Sequence, residues 1–190
     1  MAYIKIIEPD ESDGLLKEIY QNLMCARGKI AEIHKIQSLN PKSIKNHMDL
    51  YMTIMFGKSP LTRAQREMIA VVVSVANQCR YCQAHHREAL CHYWKDPKRI
   101  DHLIRDYRDA GLSDSDILLC QYAETLTRNP DSPQIQKIVF SMKDTGFDDR
   151  IILDCALVTA YFNFVNRLVS GLGVDLEKDG GIGYLYGDQG

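Results

Sequence analysis

LTRAQREMIAVVVSVANQCRYCQAHH, the stretch from Leu61 to His86, decides how the chain folds. Thr62-Arg63-Ala64-Gln65 has the form of a capping box, in which the threonine hydroxyl accepts from a first-turn amide and the glutamine three positions on reaches back. A helix therefore begins at Thr62. Ile69 to Val73 is an unbroken apolar run that resumes after Ser74 as Val75-Ala76. Asn77-Gln78 then interrupts the helix, and asparagine suits the left-handed residue that closes helices. A second helix starts at Cys79, so the stretch reads as a helical hairpin.

The same periodicity extends in both directions. Apolar residues recur three and four apart and long period-two alternation is missing, which makes the fold class all-α. Helices are expected over residues 11–26, 31–39, 42–56, 62–77, 79–94, 97–109, 113–128, 133–145 and 148–170. Gly57, Gly111 and Gly146 suit left-handed positions after helix ends, while Pro130 and Pro133 prevent continuation. The connections are short, as in antiparallel helical bundles. From Gly171 to Gly190 the chain becomes glycine-rich and loses its apolar period beyond Leu176, so irregular structure ordered against a partner subunit is expected there. Residues 1–190 make one domain.

Composition narrows the setting. With 23 basic against 25 acidic residues the net charge is −2, which builds no global positive field to attract nucleic acid or anionic lipid. The apolar run beside the motif falls short of the ~18 residues that span a bilayer, and the N-terminus lacks the pattern of an export signal. A cytoplasmic protein without a membrane partner is expected. The six cysteines therefore do not read as a disulfide scaffold. Cys120 and Cys155 sit in apolar runs and read as core.

Chemistry concentrates at Cys79-Arg80-Tyr81-Cys82. At about 100° per residue, Cys79, Cys82 and His86 fall within an arc of about 60° on one helix face. A hairpin turning at Asn77-Gln78 runs Glu67 back past residues 87–89, within about one turn of His86. Two thiols three apart can close a disulfide, an imidazole can take a thiol proton, and a carboxylate can orient and stabilise that imidazole. Attack on a peroxide leaves a sulfenic acid, which the neighbouring thiol condenses to a disulfide. Helix-terminal amides favour a thiolate at Cys79, whereas His86 favours one at Cys82; the spacing leaves the nucleophile open.

Competing readings have different requirements. Zinc would use Cys79, Cys82, His86 and either Cys91 or His92, but one straight helix cannot wrap four ligands around an ion. Gln83 stands where c-type haem attachment needs histidine, and a thioredoxin fold needs strands where Leu61 to Ala76 reads as helix. No metal or cofactor is expected. His85 and His92 point away from the thiol face and belong with Arg87, Lys95, Lys98 and Arg99 on a solvated helix surface.

These residues resemble the AhpD-like family, the alkylhydroperoxidase branch of the carboxymuconolactone decarboxylase superfamily, and more closely its uncharacterised peroxidase-related members. The resemblance rests on Leu61 to Glu67, on Asn77 to Cys82 with His86, and on Ala160-Tyr161-Phe162-Asn163-Phe164-Val165-Asn166-Arg167. It implies an all-helical homo-oligomer, a trimer or hexamer, that reduces alkyl hydroperoxides and is re-reduced by an unidentified dithiol protein. Cys82 would attack the peroxide, Cys79 would resolve the intermediate, and Glu67 with His86 would relay protons. Tyr81 departs from the family pattern, in which a further histidine assists the relay. Two alternatives stay in view: a non-redox decarboxylase using His86 and Glu67 as acid and base, and a non-catalytic helical, zinc-stabilised module.

Overall fold

The computed structural model describes residues 2–181, and helices are the only regular secondary structure among them. They are α1 (Gly14–Arg27), α2 (Glu32–Lys35), α3 (Pro41–Tyr51), α4 (Arg63–Ala76), α5 (Arg80–Trp94), α6 (Pro97–Arg105), α7 (Asp114–Arg128), α8 (Gln134–Asp144) and α9 (Asp149–Leu172). Helix α4 is the central one, packing against α5, α7 and α9. Every residue from Arg66 to Ser74 is buried, as a helix surrounded on all sides requires. Ile69, Leu119, Cys120, Cys155 and Phe162 lie in the shared core. A smaller apolar cluster holds α1 to α3 through Leu16, Tyr20 and Ile44.

The capping box is present as read: Gln65 N donates to Thr62 Oγ1 at 3.2 Å, and Gln65 Oε1 accepts from Thr62 N at 3.0 Å. Other details differ. The expected helix over 31–39 keeps α-geometry only at Glu32–Lys35, and that over 42–56 changes to a π-turn at Met52–Phe56. The one over 97–109 breaks at Asp106, whose extended backbone (φ −157°) separates α6 from a 3-10 turn at Tyr107–Asp109. Gly111 and Gly146 are left-handed, but Gly57 has φ −62°. Glycine is needed at position 57 because a Cβ would run into the Thr53 carbonyl oxygen.

Helix α9 is long and apolar enough, by length and composition, to cross a membrane. Here it is a core helix: Asp154, Thr159 and Asn166 are buried along it, and Ser59 donates to Asp154 Oδ2 at 2.5 Å. The glycine-rich tail is irregular through Gly181, with a turn before its end; its remainder, residues 182–190, lies outside the described residues. Tyr3 N donates to Leu172 O at 2.9 Å, so the N-terminus fastens the end of α9.

Thr62→Ala removes one side of the capping box. It is expected to lower stability by about 1 kcal/mol, read as a reduced urea midpoint with an unchanged m-value.

Candidate functional site

The hairpin turn places the thiols. Gln78 N donates to Val75 O and Cys79 N to Ser74 O, both at 2.9 Å, the paired bonds of a Schellman motif. The left-handed residue is Gln78 (φ +56°), not Asn77, which stays right-handed at φ −85°. Asn77 is held elsewhere: its Nδ2 donates to Asn163 Oδ1 and Asn166 Oδ1, each at 3.1 Å. The C-terminal motif thus fastens the hairpin to α9.

Cys79 is consequently the last residue of the α4 cap and the N-cap of α5. Its thiol is pulled down to about 7, chiefly because the Cys82 S–H donates to it; burial opposes this, while the amides of Cys82 and Tyr81 and the Ser170 side chain assist. Cys82 is raised well above the ordinary thiol range, because losing its proton forfeits that bond and burial disfavours a second charge. In the resting dithiol the charge therefore settles on Cys79. Burial also raises Cys120, and it pushes Cys155 to about 12, in keeping with core roles.

The structure joins the four residues in two pairs, Glu67 with His86 and Cys79 with Cys82, and sets Cys82 and His86 on one cavity. Glu67 is fully buried and its Oε2 lies 2.6 Å from His86 Nδ1. Its other oxygen pairs with Arg63 Nη2 at 2.7 Å. Burial works to raise the Glu67 pKa, but Arg63 and His86 outweigh it and keep the carboxyl below its ordinary range. A carboxylate accepting from Nδ1–H leaves Nε2 as the basic nitrogen of His86. Arg63 also stacks 3.9 Å over the Phe56 ring, so the π-turn fixes the guanidinium. Its i,i+4 spacing to Glu67 was the available sequence signal for it.

Cys82 and His86 line a cavity of about 80 Å³, with His34, His47, Tyr161 and Phe162 on its other walls. Cys79 instead lines a wider groove of about 340 Å³ with Tyr3, Arg80 and Ser170. The two sulfurs thus serve different openings.

The expected solvated position of His85 is corrected. Its side chain is only 13% exposed, it lines the same cavity as Cys82, and its Nε2 lies 2.8 Å from Glu177 Oε2. Glu177 belongs to the tail, which the helical wheel of α5 does not include. Tyr81 Oη donates to Glu177 Oε1 at 2.8 Å and accepts from Ile33 N at 3.2 Å. Burial opposes ionisation of Glu177, but His85 and the Glu32 amide hold its carboxyl down at about 2. Tyr81 is thereby a tie between α5, α2 and the tail. Among the described residues no group of three or more His, Cys, Asp or Glu side chains is arranged to hold a metal.

A family model described as carboxymuconolactone decarboxylase matches residues 41–124, the segment from α3 into α7 that contains the whole Glu67, Cys79, Cys82 and His86 set. That match and the structural likenesses that follow show what the chain is similar to, with the family segment spanning just under half of its length. An uncharacterized peroxidase-related protein from Silicibacter sp. TM1040 shares 28% identity over 90% of each chain, with a TM-score of 0.81. An AhpD-core, peroxidase-related protein from Ralstonia eutropha JMP134 superposes at TM-score 0.83, with 21% identity over 95% of this chain and 94% of its own. The debrominase Bmp8 has the same fold at TM-score 0.77 and 14% identity, covering 94% of both chains. No curated protein matches the chain.

Within this site the ionisation order is measurable. The thiolate absorbance of the reduced protein, taken as the difference from Cys79→Ser, should rise with pH through a midpoint near 7. In Cys82→Ala, which lacks the donated S–H bond, the midpoint should move up toward the ordinary thiol value of ~8.5.

Proposed function

We propose that this protein is a cofactor-free thiol peroxidase that reduces small alkyl hydroperoxides through a Cys79–Cys82 dithiol cycle. The observation that carries the reading is Cys82 beside His86 in one cavity, with His86 held on the basic tautomer by buried Glu67. His86 takes the Cys82 proton, and the sulfur attacks the terminal peroxide oxygen. The O–O bond breaks, giving an alcohol and a Cys82 sulfenic acid. Cys79 carries a substantial thiolate fraction near neutral pH, which suits it to condense with that sulfenic acid, releasing water and closing the disulfide.

The groove beside Cys79 supports entry of a dithiol donor through a second opening, separate from the cavity at Cys82. Reduction of the disulfide restores the cycle, as the reducing poise of the cytoplasm permits. Acid–base chemistry on a lactone, which the family's decarboxylase name raises, would need Glu67 and His86 but not the thiols.

A second copy of the chain is the proposed partner for the solvent face of α9. Leu153, Leu157, Ala160 and Phe164 are exposed there at helical spacing, an apolar stripe that self-association would cover.

Cys82→Ser should abolish peroxide consumption and disulfide closure, while Cys79→Ser should permit one turnover and accumulate a dimedone-reactive sulfenic acid. Glu67→Gln and His86→Ala should each slow the reaction by roughly 10²–10⁴-fold. Undiminished peroxide turnover by Cys82→Ser would refute the cycle, and lactone turnover by that variant would establish the decarboxylase reading. In sedimentation, Leu157→Glu with Phe164→Glu should reduce an oligomer to the monomer mass.

A further inference from the structure

The wall of the cavity facing away from α5 carries polar groups that the dithiol cycle leaves unused. Gln37 Nε2 lies 2.7 Å from the Ile33 carbonyl and 2.9 Å from His47 Nδ1. A carbonyl only accepts, so that atom of Gln37 is the amide nitrogen, and its second hydrogen goes to His47 Nδ1. The neutral ring must then carry its proton on Nε2, which lies 2.6 Å from Tyr161 Oη. Burial depresses the His47 pKa to about 4, which keeps the ring neutral. His47 is therefore the donor and the Tyr161 oxygen the acceptor.

That direction leaves the Tyr161 hydroxyl with a hydrogen to give. No acceptor among the described residues takes it, and Tyr161 lines the cavity that Cys82 and His86 line. The ring is buried and held by Phe162 at a centroid distance of 5.0 Å, while Phe162 itself packs edge-on to His86 at 4.4 Å. On the same wall His34 is buried, and its Nδ1 has no hydrogen-bond partner among the described residues. Two polar groups thus stand on one wall of a cavity that Arg27, Cys82, His85 and His86 also line, and the Tyr161 hydrogen calls for a ligand oxygen at this end.

We propose that Tyr161 is a further catalytic residue, donating a hydrogen bond to the alkoxy oxygen of a small alkyl hydroperoxide as the O–O bond breaks, with His47 as its positioning residue. The assignment rests on the thiol-peroxidase reading above. As Cys82 sulfur bonds to the terminal oxygen, the O–O electron pair leaves with the alkoxy oxygen; sulfur is oxidised and the peroxide reduced. The leaving alkoxide is a strong base, and Tyr161 stabilises its charge until it receives the proton that His86 took from Cys82. The volume also sets a size class. About 80 Å³ is roughly half of the ~150 Å³ cavity that accommodates benzene, so a short alkyl chain fits within it and a longer one would have to extend through its opening.

The test compares ethyl hydroperoxide, whose leaving group is an alkoxide, with peracetic acid, whose leaving group is a carboxylate needing no proton. In Tyr161→Phe the second-order rate of disulfide formation should fall roughly 100-fold with ethyl hydroperoxide and stay nearly unchanged with peracetic acid. The peracetic acid rate also verifies that the variant is folded. His47→Leu, which leaves the tyrosine ring in place, should shift the ratio of the two rates in the same direction. An equal loss with both peroxides, or none with either, would overturn the role of Tyr161 alone. A wild-type protein inert to every peroxide would overturn the peroxidase reading beneath it.

Discussion

Everything at the site depends on one turn. Cys79 N–H closes α4 through Ser74, while the same residue is the N-cap of α5 and its carbonyl accepts from Gln83 N. A residue that ends one helix and opens the next cannot move without unravelling both, so the thiol is fixed by backbone hydrogen bonds. Gln78 accepts a left-handed backbone to make this possible. Such strain persists where the surroundings over-determine it, and Asn77, clamped to Asn163 and Asn166 of α9, supplies that restraint.

Buried charge is the second organising constraint. Glu67 is carried into the core by α4 and meets Arg63 one turn back and His86 across the hairpin. An isolated carboxylate there would be strongly disfavoured, and removal of one partner from such a set typically costs about 3–5 kcal/mol. The chain of charges is thus tied to the packing of α4 against α5 and to the π-turn that places Phe56 over Arg63. Its chemical effect is to keep His86 on the tautomer that can accept a proton.

The two cysteines differ more in environment than their spacing suggests. The Cys82 S–H and the helix amides put the charge on Cys79, whereas Cys82 shares the narrower cavity with His86. The expected competition between helix terminus and imidazole therefore resolves as a division: the acidic thiol lines the wider groove, and the protonated one lines the narrower cavity.

The helices, the hairpin and the set of Glu67, Cys79, Cys82 and His86 were legible from residue order, because each follows from local hydrogen bonding or from helical phase within one hairpin. Arg63 carried the same kind of signal in its i,i+4 spacing to Glu67 but was not singled out. The left-handed position moved from Asn77 to Gln78 because α9 claims the asparagine side chain, which no local rule includes. His85 was assigned to solvent from the phase of α5 alone; the tail carrying Glu177 covers it. Likewise His47 and Tyr161 lie 114 positions apart, and the direction of their hydrogen bond depends on Gln37 and Ile33. Sequence by itself determined the helical class and the spacing of Glu67, Cys79, Cys82 and His86 along one hairpin, since both are short-range. Only the tertiary structure decided which sulfur faces which opening and what lines the opposite wall, because those depend on where distant helices pack.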